Sequence, residues 1–239
     1  MSEYPQCWQD LHNALKADLD RILLYGQPGT GKTYYCLNKQ LPTPTSPLRQ
    51  AVRLLCTSDM TKGDVEGMWK PNAGEWEWVD SVCLDAWTNG SRLVLDELDQ
   101  ASGECLTNLL AICDSSDSAV IPHPATKQMI SPREGFQVIA TTNATRLGDL
   151  PPALLDRFPV RININRAHPE ALKQLGSDQL AAIADLWISD PRNKVSLRSF
   201  FAYKHALKTC GTEISARLIF PDRFEEIMEA TEVNMLVEK

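Results

Sequence analysis

The 239-residue chain has little of what marks secreted, membrane-spanning or metal-stapled proteins. No uninterrupted apolar stretch approaches the roughly 20 residues that a membrane-spanning helix needs. Met1-Ser2-Glu3-Tyr4-Pro5 lacks the basic-then-apolar pattern of a signal peptide. The seven cysteines are scattered, odd in number and never spaced C-x-x-C. Such a set argues against a disulfide framework or zinc site and for reduced thiols, as expected of a cytoplasmic protein. His12, His123, His168 and His205 form no ligand-spaced pair. There is no lysine- or arginine-rich run, and 24 basic against 31 acidic side chains leave a net charge of −7. A broad nucleic-acid-binding face is therefore not expected.

What is present is an ordinary globular composition, 43% hydrophobic and 23% charged, with enough chain to bury a substantial core. Short apolar runs at Arg21–Tyr25, Ala51–Cys56, Ser91–Leu95 and Phe136–Ala140 read as strands, and the more alternating Pro159–Ile164 reads as an edge-side strand. Between them lie helical patterns, Lys32 to Lys39 and Gly103 to Asp114, so the sequence predicts a parallel α/β sheet. The prolines of Leu41–Pro47 require a connection there. From about His168 the pattern becomes helix after helix, with Pro169 suited to a first turn and further helices near Leu197–Thr209 and Asp222–Glu229. A boundary is placed near Arg166, giving an α/β domain over 1–166 and a small helical domain over 167–239.

Gly26-Gln27-Pro28-Gly29-Thr30-Gly31-Lys32-Thr33 follows a predicted strand and opens a predicted helix, the setting of a phosphate-binding loop. Its glycines let backbone N–H groups converge on phosphate oxygens, and the helix N-terminus adds partial positive charge. Lys32 is placed to neutralise β- and γ-phosphate charge, and the Thr33 hydroxyl to bind Mg²⁺. Leu93-Val94-Leu95-Asp96-Glu97 is the companion: Asp96 at the strand end is placed to orient hydrated Mg²⁺, and Glu97 to polarise an attacking water. Phe136–Thr142 leads to Asn143, which can bond the γ-phosphate or that water. Arg157, in Leu154-Leu155-Asp156-Arg157-Phe158, could reach a neighbouring subunit's nucleotide, and Arg198, opening a helix of the C-terminal part, could close that part onto the phosphates; without the other motifs either reads as a salt-bridging surface arginine.

In order, these segments resemble an AAA+ ATPase: Walker A at Gly26–Thr33, Walker B at Leu93–Glu97, sensor 1 at Asn143, an arginine finger at Arg157 and sensor 2 at Arg198. Arg217 is a rival for the last role. The resemblance implies a three-layer αβα domain with a parallel sheet and an all-α lid, ATP and Mg²⁺ as cofactors, and a homo-oligomeric ring such as a hexamer with sites shared between subunits. Two further passages are similar to the MoxR and CbbQ/NorQ, dynein-related, lineage. One is Asp64–Trp69 with Gly74–Asp80, a helix-2 insert over about 64–84, in which Ser81 stands where the family pattern has a glycine. The other is a hairpin before sensor 1 over about 118–134, from Ala119–Pro122 and Gln128–Ile130. That lineage implies remodelling of a protein client, with Trp69, Trp76 and Trp78 of the insert either packing it or contacting the client, and a von Willebrand A-type protein as adaptor. A nucleic-acid motor or loader of the same superfamily and a nucleotide-dependent switch with scarce turnover are the alternatives. The acidic balance weighs against the first and Glu97 against the second.

Overall fold

The structure, a computed structural model, describes residues 4–38, 51–190, 192–193 and 195–237. The proline-rich connection at 41–47 and Lys39 lie outside them. The elements run α1 (Gln6–Lys16), β1 (Arg21–Tyr25), α2 (Lys32–Asn38), β2 (Val52–Leu55), α3 (Lys62–Glu66), β3 (Gly67–Asn72), β4 (Glu75–Asp80), α4 (Val82–Asn89), β5 (Arg92–Asp96) and α5 (Gly103–Ile112). They continue with β6 (Ile121–Pro122), β7 (Met129–Ile130), β8 (Gln137–Thr141), α6 (Pro152–Arg157), β9 (Val160–Asn163), α7 (Pro169–Lys173), α8 (Asp178–Ser189), α9 (Leu197–Ile219) and α10 (Phe224–Val237). The described residues form two compact units: Gln9–Gly26 with Thr33–Asn163, and Met1–Trp8 and Gln27–Lys32 with Ile164–Lys239.

In the first unit five strands form a parallel sheet in the order β2-β5-β8-β1-β9. The central strands β5 and β8 are buried at every position, which is why they read as unbroken apolar runs. Edge strand β9 alternates as its sequence predicts. Edge strand β2 leaves Arg53 and Leu55 exposed, because the outermost strand has a neighbour on one side only. The core packs Leu23, Trp87, Leu93, Leu95, Leu109, Val138 and Phe158.

Helix α4 is stopped at both ends by local chemistry. Ser81 Oγ accepts the Leu84 amide at its start, and Gly90 closes it in the left-handed region. Between α3 and α4 the chain projects the antiparallel β3–β4 hairpin, whose two-residue turn has positive φ at both Ala73 and Gly74. The insert expected over 64–84 therefore consists of the end of α3, this hairpin and the start of α4. The second hairpin, β6–β7, pairs only Ile121 with Ile130 and Pro122 with Met129.

In the second unit α7 to α10 pack around Leu180, Trp187, Phe200, Tyr203 and Phe220. Helix α9 runs on past the expected Thr209, with a break at Gly211 (φ 72°, ψ 171°). The fold is an α/β domain with an all-helical C-terminal region, as the sequence predicts. No helix among the described residues is long and apolar enough to cross a membrane.

Candidate nucleotide-binding site

Asp96 ends β5 and is 6% exposed. Its Oδ1 accepts hydrogen bonds from Thr33 Oγ1 at 2.6 Å and from Thr141 Oγ1 at 2.5 Å. Its Oδ2 accepts from Arg53 Nε at 3.0 Å and from Nη2 of the same guanidinium at 2.5 Å. Burial disfavours the carboxylate, but the bonds from Thr141, Thr33 and Arg53, with the Arg53 charge, outweigh it and hold the carboxyl below its ordinary range. Asp96 is a preformed anion joined to the Thr33 hydroxyl. The two supply hard oxygen donors, the chemistry that suits Mg²⁺.

Glu97 follows in the left-handed region (φ 57°, ψ 46°), a conformation that costs a non-glycine residue about 1–2 kcal/mol. The chain leaves β5 here and turns at once into a 3₁₀ segment, Leu98–Gln100. The Glu97 amide donates to Thr141 Oγ1 at 3.3 Å, and Asn143 Nδ2 donates to Glu97 Oε1 at 3.0 Å. One threonine hydroxyl thus ties the side chain of Asp96 to the backbone of Glu97. The adjoining strand ends are laced together as well: the Gly26 amide donates to the Ala144 carbonyl at 2.9 Å and the Thr142 amide to the Leu24 carbonyl at 3.0 Å.

Within the helical unit lies the crown of the glycine-rich loop, Gln27-Pro28-Gly29-Thr30-Gly31-Lys32. Lys32 is 5% exposed and its Nζ donates to the Gln27 carbonyl at 2.7 Å. The Leu197 amide donates to the Gly29 carbonyl at 3.0 Å, and the His168 amide to the Thr30 carbonyl at 3.1 Å. Gly29 has φ +80°, and a Cβ there would stand 2.1 Å from Ser196 Cβ and 2.7 Å from Ser196 Cα. Only glycine fits that position. The start of α9 is therefore seated on the loop crown, and Arg198, exposed, lies in its first turn. Arg217 lies in the last turn of α9, where it pairs with Glu213 at 2.6 Å and sits over the Phe224 ring.

Arg157 closes α6. Its Nη1 donates to the exposed Asp156 at 3.1 Å, and its Nε is buried without a hydrogen-bond partner among the described residues. The structure thus joins Thr33 to Asp96, Glu97 to Asn143, and the helix bearing Arg198 to the loop crown. Two participants escape a sequence reading. Thr141 was visible only as one of two threonines before Asn143, and Arg53 as a lone charge inside the run Val52-Arg53-Leu54-Leu55. No cluster of metal-ligating histidines, cysteines and acids occurs among the described residues, and the cysteines are free thiols.

The sequence model of the AAA domain (dynein-related subfamily) matches residues 21–158. Midasin of Dictyostelium discoideum is 32% identical over 145 residues, a match covering 57% of this chain but 2% of midasin. An uncharacterized protein of Staphylococcus aureus (strain USA300) is 31% identical over 191 residues, covering 75% of this chain and 69% of that protein. Among solved structures, NtrX from Brucella abortus in complex with ATP is similar in fold, with a TM-score of 0.54 at 15% identity, covering 84% of this chain and 50% of the NtrX chain. The family match spans more than half of the sequence and contains Thr33, Asp96, Glu97, Asn143 and Arg157. The chain belongs to the AAA domain family, dynein-related subfamily.

Proposed function

We propose that the protein is a Mg²⁺- and ATP-dependent AAA+ ring ATPase of the MoxR/CbbQ kind that remodels or activates a protein client. The observation that carries this reading is the constellation at the end of β5: Thr33 on Asp96 at 2.6 Å, with Glu97 next in sequence and held by Asn143 at 3.0 Å. The loop amides and Lys32 bind the phosphates, and Thr33 and Asp96 hold the metal. Bound Mg²⁺ supplies neutralising charge on the phosphate oxygens. Glu97 takes the proton of the attacking water, and Asn143, bonded to Glu97 Oε1, holds that carboxylate in place. Seating of α9 on the loop crown supports Arg198 over Arg217 as the residue that closes on the γ-phosphate. Division at about residue 166 into a nucleotide-binding domain and a lid belongs to the same reading, as does the binding of ATP by NtrX.

Arg157 acts in trans in this proposal, which requires a ring. The β3–β4 hairpin, with Trp69 54% and Trp76 69% exposed, is the client-facing element, alone or through an adaptor. Phosphate release measured across a range of protein concentrations tests the proposal. Lys32→Ala should abolish turnover, and Glu97→Gln should retain ATP without hydrolysing it. Arg157→Ala turning over normally at every concentration would remove the shared site. Capture of bound proteins by Glu97→Gln in ATP identifies the client.

A further inference from the structure

Asp96 is held by two neutral hydroxyls on one oxygen and by a cation on the other. That cation, Arg53, comes from the edge strand β2, and its side chain is 44% exposed against 8% for Asp96. The approach is through both Nε and Nη2, so the guanidinium covers Oδ2 as a fork and does not merely lie nearby. A carboxylate that orients a hydrated divalent cation needs both its charge and an open oxygen. Here Thr33 and Thr141 already share Oδ1, and Arg53 takes Oδ2 and offsets the charge.

We propose that Arg53 is a positioning residue that competes with Mg²⁺ for Asp96 and so sets the Mg²⁺ concentration at which the protein binds nucleotide. The inference rests on the ATPase reading above. Its direction does not depend on how Arg53 responds. If the guanidinium stays, it repels the divalent cation across a few ångströms. If it swings away, metal binding must first break a charge-assisted pair. Either way, removing the positive charge lowers the Mg²⁺ requirement, and a lysine at the same place largely preserves it. Because Arg53 is half exposed, it can leave Asp96 and remain solvated, and added salt should weaken its effect.

The test uses the full chain and a fluorescent ATP analogue at fixed concentration, with Mg²⁺ titrated in. The half-saturating Mg²⁺ concentration should fall on the order of ten-fold in Arg53→Met and in Arg53→Gln, the size of one charge interaction at such a site. Arg53→Lys should stay within about two-fold of the parent, and all four proteins should bind alike at saturating Mg²⁺. A requirement that is unchanged or raised in the Met and Gln variants, with cooperative melting intact in EDTA, overturns the proposal. So does loss of the folded state in both, since the pair would then be a folding requirement. If the folded parent binds no analogue at any Mg²⁺ concentration, in common with Lys32→Ala, the ATPase reading itself fails and takes this inference with it.

Discussion

Replacing Thr141 by valine deletes one hydroxyl and keeps the side-chain shape. Thr141 is 2% exposed at the end of β8, so nothing but its oxygen is at stake. That oxygen donates to Asp96 at 2.5 Å and accepts the Glu97 amide at 3.3 Å. A hydrogen bond to a charged group contributes about 1.5–3 kcal/mol. Asp96 retains Thr33 and Arg53, so the carboxylate is not orphaned, and a loss of about 2 kcal/mol is expected. For a chain of this length that corresponds to roughly 4–8 °C in Tm. The deficit has a defined pH dependence. The folded Asp96 carboxyl is depressed, so its contribution is present above the unfolded carboxylate range, near pH 3.9, and fades as pH falls through the folded value. Thr141→Val shrinks that contribution, so the gap from the parent should be widest at neutral pH. Melting in EDTA at pH 7 measures it, with Thr141→Ser as the variant that keeps the hydroxyl. Turnover should fall with stability, because Glu97 loses an anchor of its strained backbone. A Thr141→Val protein that melts and hydrolyses ATP like the parent would refute the reasoning.

Two further outcomes follow from the same geometry. Gly29→Ala places a methyl 2.1 Å from Ser196 Cβ at φ +80°, so it should lower the melting temperature and weaken binding of an ATP analogue at least about ten-fold. Adding Ser196→Gly should recover only part of this, because Ser196 Cα still stands at 2.7 Å. Among the thiols, burial pushes Cys56 and Cys113 up to about 12 and holds Cys83 well above the ordinary thiol range, whereas Cys210 is partly exposed. A disulfide reagent at pH 8 followed by peptide mapping should mark Cys210 at once and these three only after denaturation; prompt labelling of Cys83 in the folded protein would contradict its burial.

The parts of this fold that were legible in the sequence are those whose signals are local. Strand β5 and strand β8 are continuous apolar runs because both of their faces are covered, and each ends in the polar residues that the site uses. The loop 26–33 is legible because its backbone demands glycine at fixed places, and Gly29 shows why: both its φ and the proximity of Ser196 exclude a side chain. Helix α1 has a legible helical spacing as well, with Cys7, Trp8, Leu11, Ala14 and Leu15 buried along it, but no Ser, Thr, Asp or Asn immediately precedes it to mark its start. Arg53 and Thr141 were beyond reach. Their meaning depends on β2, β5 and β8 lying side by side, an arrangement that joins residues 53, 96 and 141 and leaves no trace in the spacing of any one segment. The passages 64–84 and 118–134 were legible as inserted segments, and the structure gives them as two hairpins of very unequal length.

Asp96 and Glu97 are neighbours in sequence and opposites in setting. Asp96 is buried and fixed from both sides, by hydroxyls from the loop helix and β8 and by the guanidinium from β2. A group held this way is static: it offers a cation one fixed point, in competition with the guanidinium. Glu97 has its backbone fixed in a strained turn, while its carboxylate is met by Asn143, an exposed residue on the segment that follows β8. Its side chain can therefore change partner at the cost of one surface hydrogen bond, about 1 kcal/mol. In the proposed hydrolytic site the two acids divide the work, the static one for the metal and the adjustable one for the water. The strain at Glu97 provides the division: an extended residue 97 would continue β5 and send its side chain to the opposite face of the sheet, whereas the left-handed turn takes the chain out of the strand and brings Glu97 to Asn143.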